Sequence, residues 1–172
     1  MRYSPLAIAL SISLACVGSA ALGQKPDDQI DPRSISFLKA GEAALAQKQF
    51  ALATDNLETA LAIDPRNRAA FRVLGAVARA QGFPGKAVRF YREALDMEPN
   101  DLAALEGQGE ALVQRGAVEK ARENLARIRK LCKADCAPAQ RLSAVIAKGA
   151  PAQVVAAQTA TEVPKPNTPE QN

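Results

Sequence analysis

At 172 residues the chain has room for one domain, or one domain with tails. Aromatics make up 4% and Trp is absent while Ala is abundant, which suits helices packed closely together and not a wide sheet core. There is no His, so the commonest acid–base and metal-ligating side chain is missing, and the formal charge of +4 is spread without a basic block, which argues against nucleic acid or a membrane surface as partner.

Residues 1–23 begin with Arg2, an apolar run from Leu6 to Val17, and small residues from Gly18 to Gly23. The run is too short for an ordinary spanning helix and its end resembles a signal-peptidase site, so it reads as a cleaved secretory signal. That reading places the protein in the periplasm of a Gram-negative envelope. Two alternatives stay open. One is an uncleaved N-terminal anchor. The other is a degenerate lipoprotein box, Leu14-Ala15-Cys16, with Cys16 lipidated after cleavage, although Ser13 stands where a Leu is expected.

Residues 24–33 form a polar linker with Pro26 and Pro32. Asp31-Pro32 or Ser34 can start a first helix, since Asp and Ser cap free backbone N–H groups and Pro is tolerated in a first turn. Ile35, Leu38, Ala40, Gly41, Ala44 and Leu45 then keep helical spacing. After a break at residues 47–49 a second helical pattern follows through Phe50, Ala53, Leu57, Ala60 and Leu61, and Pro65 stops it. A second pair is expected near Ala69–Gln81 and Gly85–Met97, turning at Gly82–Gly85 and ended by Pro99. A third runs from about Asp101 to Arg115, turns at Gly116, and continues from Val118 to Leu131. Lys133 stands where the next Pro is expected, and a turn from Cys132 to Cys136 takes its place. A last helix over residues 137–148, amphipathic through Leu142, Val145 and Ile146, is placed to cover the end of a stack. Residues 149–172 are rich in Ala, Gln, Thr and Pro and cannot bury a core, so they read as a disordered tail.

The pairs are copies of one another with a period of 34 residues. Phe71 falls on Phe37, Gly75 on Gly41, Ala87 on Ala53, Tyr91 on Leu57, Ala94 on Ala60 and Pro99 on Pro65, and Leu105, Gly109, Ala121 and Leu125 continue the series. On these residues the chain resembles the tetratricopeptide-repeat (TPR) family, in copies at 34–67, 68–101 and 102–135 within a domain of residues 34–148. The resemblance implies an all-α, right-handed superhelical stack of three helix-turn-helix hairpins plus a C-terminal capping helix. Departures are Phe for the usual Trp at the fourth place, Pro84 at an aromatic position, and the missing third Pro.

The resemblance also implies a concave face, lined by the first helix of each pair, that holds a partner polypeptide. Carried across, its positions are Ile35, Leu38, Glu42 and Leu45, then Ala69, Arg72, Ala76 and Arg79, then Ala103, Glu106, Glu110 and Val113. The chaperone-tail receptors of the family clamp a C-terminal carboxylate with Lys and Asn. Here those places hold Leu38, Glu42, Val73, Ala103 and Gly107, so that clamp is absent. What remains is an apolar end, a basic centre and an acidic end. Arg72 and Arg79 either solvate a helix face and pair with Glu42 or Glu106, or meet an acidic partner segment.

In an oxidising compartment Cys132 and Cys136 read first as a disulfide that pins the capping helix to the third hairpin. Two sulfurs with no His and no further Cys nearby fall short of a closed zinc site, and three intervening residues are not the thioredoxin-type spacing of a redox dithiol. With no His, no nucleophile elbow, no phosphate-cradling Gly loop and no paired carboxylates outside solvated faces, neither an enzyme nor a cofactor is expected. The expected function is a non-catalytic envelope adaptor that binds another protein. Self-association of an incomplete stack, and a thiol-redox role for Cys132 and Cys136, are the alternatives.

Overall fold

A computed structural model of the chain describes residues 29–132 and 136–149, and every regular element in them is an α-helix. The secretory signal, Cys16, most of the linker and the tail therefore lie outside the described residues. The helices are α1 (Pro32–Ala46), α2 (Phe50–Ile63), α3 (Arg68–Ala80), α4 (Pro84–Met97), α5 (Leu102–Gln114), α6 (Val118–Cys132) and α7 (Ala137–Lys148).

Local chemistry accounts for the ends. Asp31 accepts from the Arg33 N–H with Pro32 in the first turn of α1, Asn67 accepts from the Ala70 N–H of α3, and Asp101 accepts from the Ala103 and Ala104 N–H groups of α5. These caps satisfy donors that the helix cannot satisfy itself. At the other ends Asp64 and Glu98 take extended backbone ahead of Pro65 and Pro99, as a residue before proline must. The turn inside each hairpin needs one residue in the left-handed region. Gly82 (φ 80°) and Gly116 (φ 85°) supply it in the second and third hairpins, whereas the first uses Lys48 (φ 58°) at the equivalent place. A side chain there costs roughly 1–2 kcal/mol that glycine avoids.

α1 packs on α2, α3 on α4 and α5 on α6, and the hairpins stack through α2 against α3 and α4 against α5. The first helices form their own row, α1 beside α3, α3 beside α5, and α5 beside α7. The interior between them is mostly small and aliphatic, with Ala53, Leu57, Ala60, Ala70, Leu74 and Val77 in one cluster, and Ala87, Ala94, Leu105, Ile128 and Leu142 around the Tyr91 ring in the next.

The eighth-place glycines mark the closest approaches. A Cβ on Gly41 would meet the Leu57 side chain, and one on Gly75 would meet the Tyr91 ring, each contact lying within a single hairpin. Gly109 differs, because its neighbour is Leu142 of α7. Thus α7 enters the stack as a further first helix, driving a fully buried leucine into the notch that Gly109 leaves.

Two polar ties reinforce the stack, the first between neighbouring hairpins and the second within the third hairpin. Ser34 Oγ donates to the Ala60 carbonyl (2.7 Å) and accepts from Asn67 Nδ2 (2.8 Å), joining α1, α2 and the start of α3. Asn124 Nδ2 donates to the Leu105 carbonyl (3.1 Å) and to Gln108 Oε1 (3.0 Å), joining α6 to α5. The fourth-place side chains are not equally covered. Phe37 is 37% exposed, whereas its counterpart Leu105 is fully buried. The fourth-place side chain needs a preceding hairpin to cover it, and none precedes α1 among the described residues.

Candidate functional site

The face formed by the row α1, α3, α5, α7 grades from apolar to charged. On α1, Ile35 is exposed, Leu38 and Leu45 are half-buried, and Glu42 is exposed with no ion-pair partner among the described residues. On α3 Ala69 and Ala76 are half-buried, and on α5 Ala103 is exposed, so small side chains keep the middle of the face low.

The charged half is an alternating ladder across three helices. Arg79 of α3 meets Glu110 of α5 (2.8 Å), Arg72 of α3 lies 3.4 Å from the Asp101 carboxylate, and Arg68 lies 3.1 Å from the same carboxylate. On the far side Glu106 of α5 takes a two-pronged contact from the Arg141 guanidinium of α7, with Nη2 to Oε2 at 2.7 Å and Nε to Oε1 as the second prong. Burial pushes the Glu110 carboxyl above its usual range, and Arg79 offsets only part of that. Tyr91 lies beneath the ladder, its phenol also pushed up by burial and partly offset by Arg79.

This geometry corrects part of the sequence expectation. Arg72 and Arg79 do pair, but with Asp101 and Glu110 and not with Glu42 or Glu106. Val113 is no groove residue: it is 1% exposed, in the core. Glu106 is 8% exposed and held by Arg141. The cause is α7. It packs on α5, where Arg141 takes up Glu106 and where Ala139 and Leu142 share a core cluster with Val113. Asp101, Arg141 and Tyr91 belong to the face and were not read from the sequence. Treating residues 137–148 as one more first helix, and not only as an end cover, would have brought Arg141 into view.

The clamp positions can be judged on the same footing. A Cβ built on Gly107 would overlap the Tyr91 ring, so that place cannot carry a Lys or Asn side chain without displacing the tyrosine. Leu38 and Glu42 present an apolar group and a negative charge where a C-terminal carboxylate needs donors.

At the foot of α6, Cys132 and Cys136 lie with Cα atoms 6.2 Å apart and their sulfurs in contact, a separation that a disulfide spans. Among the described residues no cluster of three or more His, Cys, Asp or Glu could hold a metal, and no helix is long and apolar enough to cross a membrane.

No protein-family model matches the chain, and neither does any curated protein. Solved structures do match in fold. The Sgt2 TPR domain from Aspergillus fumigatus has a TM-score of 0.63 at 21% identity, covering 83% of this chain and 92% of that one. The first TPR domain of Spaghetti (RPAP3), bound to the HSP90 peptide SRMEEVD, has a TM-score of 0.61 at 15% identity, covering 67% and 92%. The Arabidopsis OM64 TPR domain has a TM-score of 0.62 at 16% identity, covering 67% and 95%. The fold is that of the tetratricopeptide-repeat solenoids.

Proposed function

We propose that this protein is a non-catalytic adaptor of the bacterial envelope that holds a segment of a partner polypeptide along α1, α3 and α5. Support comes from the fold, which in one similar domain carries a bound peptide, and from the grading of the face. The observation that carries the reading is that the arginines of the charged half are already engaged, by Asp101, Glu110 and Glu106. These ion pairs offset their charge, while Arg72 Nε and Arg79 Nε make no hydrogen bond. What is left to recognise a partner is the α1 end, with Ile35, Leu38 and Leu45 around an unpaired Glu42. That surface suits a short apolar segment carrying a Lys or Arg opposite Glu42, and disfavours a segment that ends in an acidic tail.

Peptide selection on the purified chain tests this. Enriched peptides should combine apolar residues with a basic one, and their binding should fall at least tenfold in Leu38→Asp and in Glu42→Lys while Leu52→Asp, on α2, leaves it unchanged. Enrichment of acidic C-termini, or indifference to both α1 substitutions, would overturn the reading.

Export and the disulfide belong to the same proposal. An intact mass taken from the native envelope fraction should lack about 23 residues, the length of the apolar leader. It should also be about 2 Da low until reductant restores the two thiol hydrogens. A full-length mass with free thiols would contradict both. Self-association is the second reading, favoured by the exposure of Ile35 and Phe37 at the α1 end of the stack. A monomeric mass in solution would discard it.

A further inference from the structure

Away from the α1–α3–α5–α7 face, three cations that make no ion pair among the described residues gather around one hollow. Arg92 comes from α4, Arg115 from the end of α5, and Lys120 from the first turn of α6, and together they line a cavity of about 480 Å³. The contrast with the other face is sharp: there each arginine that reaches across helices finds a carboxylate on the next one. Among the described residues the one carboxylate on the lining is Glu123, exposed and making no ion pair with any of the three cations. Three like charges held around one concavity repel one another, and a multivalent anion placed among them relieves that repulsion.

The floor of the hollow is built. Asn124 is 7% exposed and donates to Gln108, whose own amide donates to the Val88 carbonyl (3.5 Å), so both amides are fixed by partners within the fold. That network holds α4, α5 and α6 in register, and with them the backbone positions from which the cations project. A hollow of this volume falls in the range of small-molecule sites, roughly 300–1,000 Å³. We infer that it binds a small anion carrying phosphate or sulfate groups with at least two negative charges, either a free solute or the headgroup of an anionic lipid.

Calorimetric titration of the chain at physiological salt with inorganic pyrophosphate, beside binding to cardiolipin vesicles, whose headgroup carries two phosphates, and to phosphatidylcholine vesicles, separates the sources. Saturable pyrophosphate binding that weakens at least tenfold in Arg115→Gln/Lys120→Gln, and less than twofold in the matched control Lys39→Gln/Lys48→Gln, supports a free anion. Binding to cardiolipin vesicles alone, with the same loss in the first variant only, supports a headgroup. No binding to either probe overturns the inference. So does an equal loss in both variants, which would report net charge and not a site. All four side chains are exposed, so an unchanged thermal unfolding midpoint should confirm that each variant remains folded.

Discussion

Replacing Gly109 with alanine should change the sign of its effect according to what stands at position 142. In the native chain a Cβ on Gly109 would lie 2.6 Å from Leu142 Cδ2 and 2.7 Å from Cδ1. Leu142 is fully buried and cannot swing aside. The overlap should cost about 1–3 kcal/mol, against a gain of about 1 kcal/mol from removing a glycine inside a helix. Leu142→Ala alone should cost roughly 2–5 kcal/mol, because it leaves a cavity where α7 meets α5. In that background the overlap is gone and Gly109→Ala should stabilise by about 1 kcal/mol. The two changes should therefore be coupled by about 1–3 kcal/mol, read from urea midpoints at unchanged slope. Equal effects of Gly109→Ala in both backgrounds would mean that Leu142 does not fill the Gly109 notch, and that α7 is not part of the stack.

Lys48→Gly should raise stability by up to about 1 kcal/mol, since the left-handed backbone no longer carries a side chain while the unfolded chain gains some freedom; the urea midpoint checks it. Asp101→Ala should cost about 1–2 kcal/mol through the lost cap on α5, and Asp101→Asn should recover most of it, because the Arg68 and Arg72 pairs are partly exposed and weak while the cap survives. The Arg66 guanidinium and the Asp31 N–H hold the Asp64 carboxyl below its usual range. The unfolded chain therefore binds the proton more readily. Asp64 should contribute stability that is complete above its unfolded value of 3.8 and is lost as the pH falls through its lower folded value. Asp64→Asn should flatten the stability–pH curve in that acid window and leave its shape near neutrality unchanged.

The helices were legible because their signals are local. Pro65 and Pro99 end helices by steric necessity, Asn67 and Asp101 cap them, and glycine at every eighth place forces close approach. The charge partners were not legible. Arg79 reaches Glu110 and Arg141 reaches Glu106 across helices far apart in sequence, and a period within one repeat says nothing about which charges face each other between repeats. Val113 was misplaced for a related reason. Its repeat position lies half-buried in Leu45 and Arg79, whereas Val113 joins a core cluster that includes Ala139 and Leu142 of α7. The left-handed turn at Lys48 was hidden because its equivalents, Gly82 and Gly116, are glycines and it is not.

Amide chemical-shift mapping of the chain with a selected peptide bears most directly on the adaptor reading. The reading predicts that shifts concentrate on α1, from Ile35 to Leu45, and spread to the facing residues of α3 and α5. Shifts confined to α2, α4 and α6, with α1 unmoved, would contradict it.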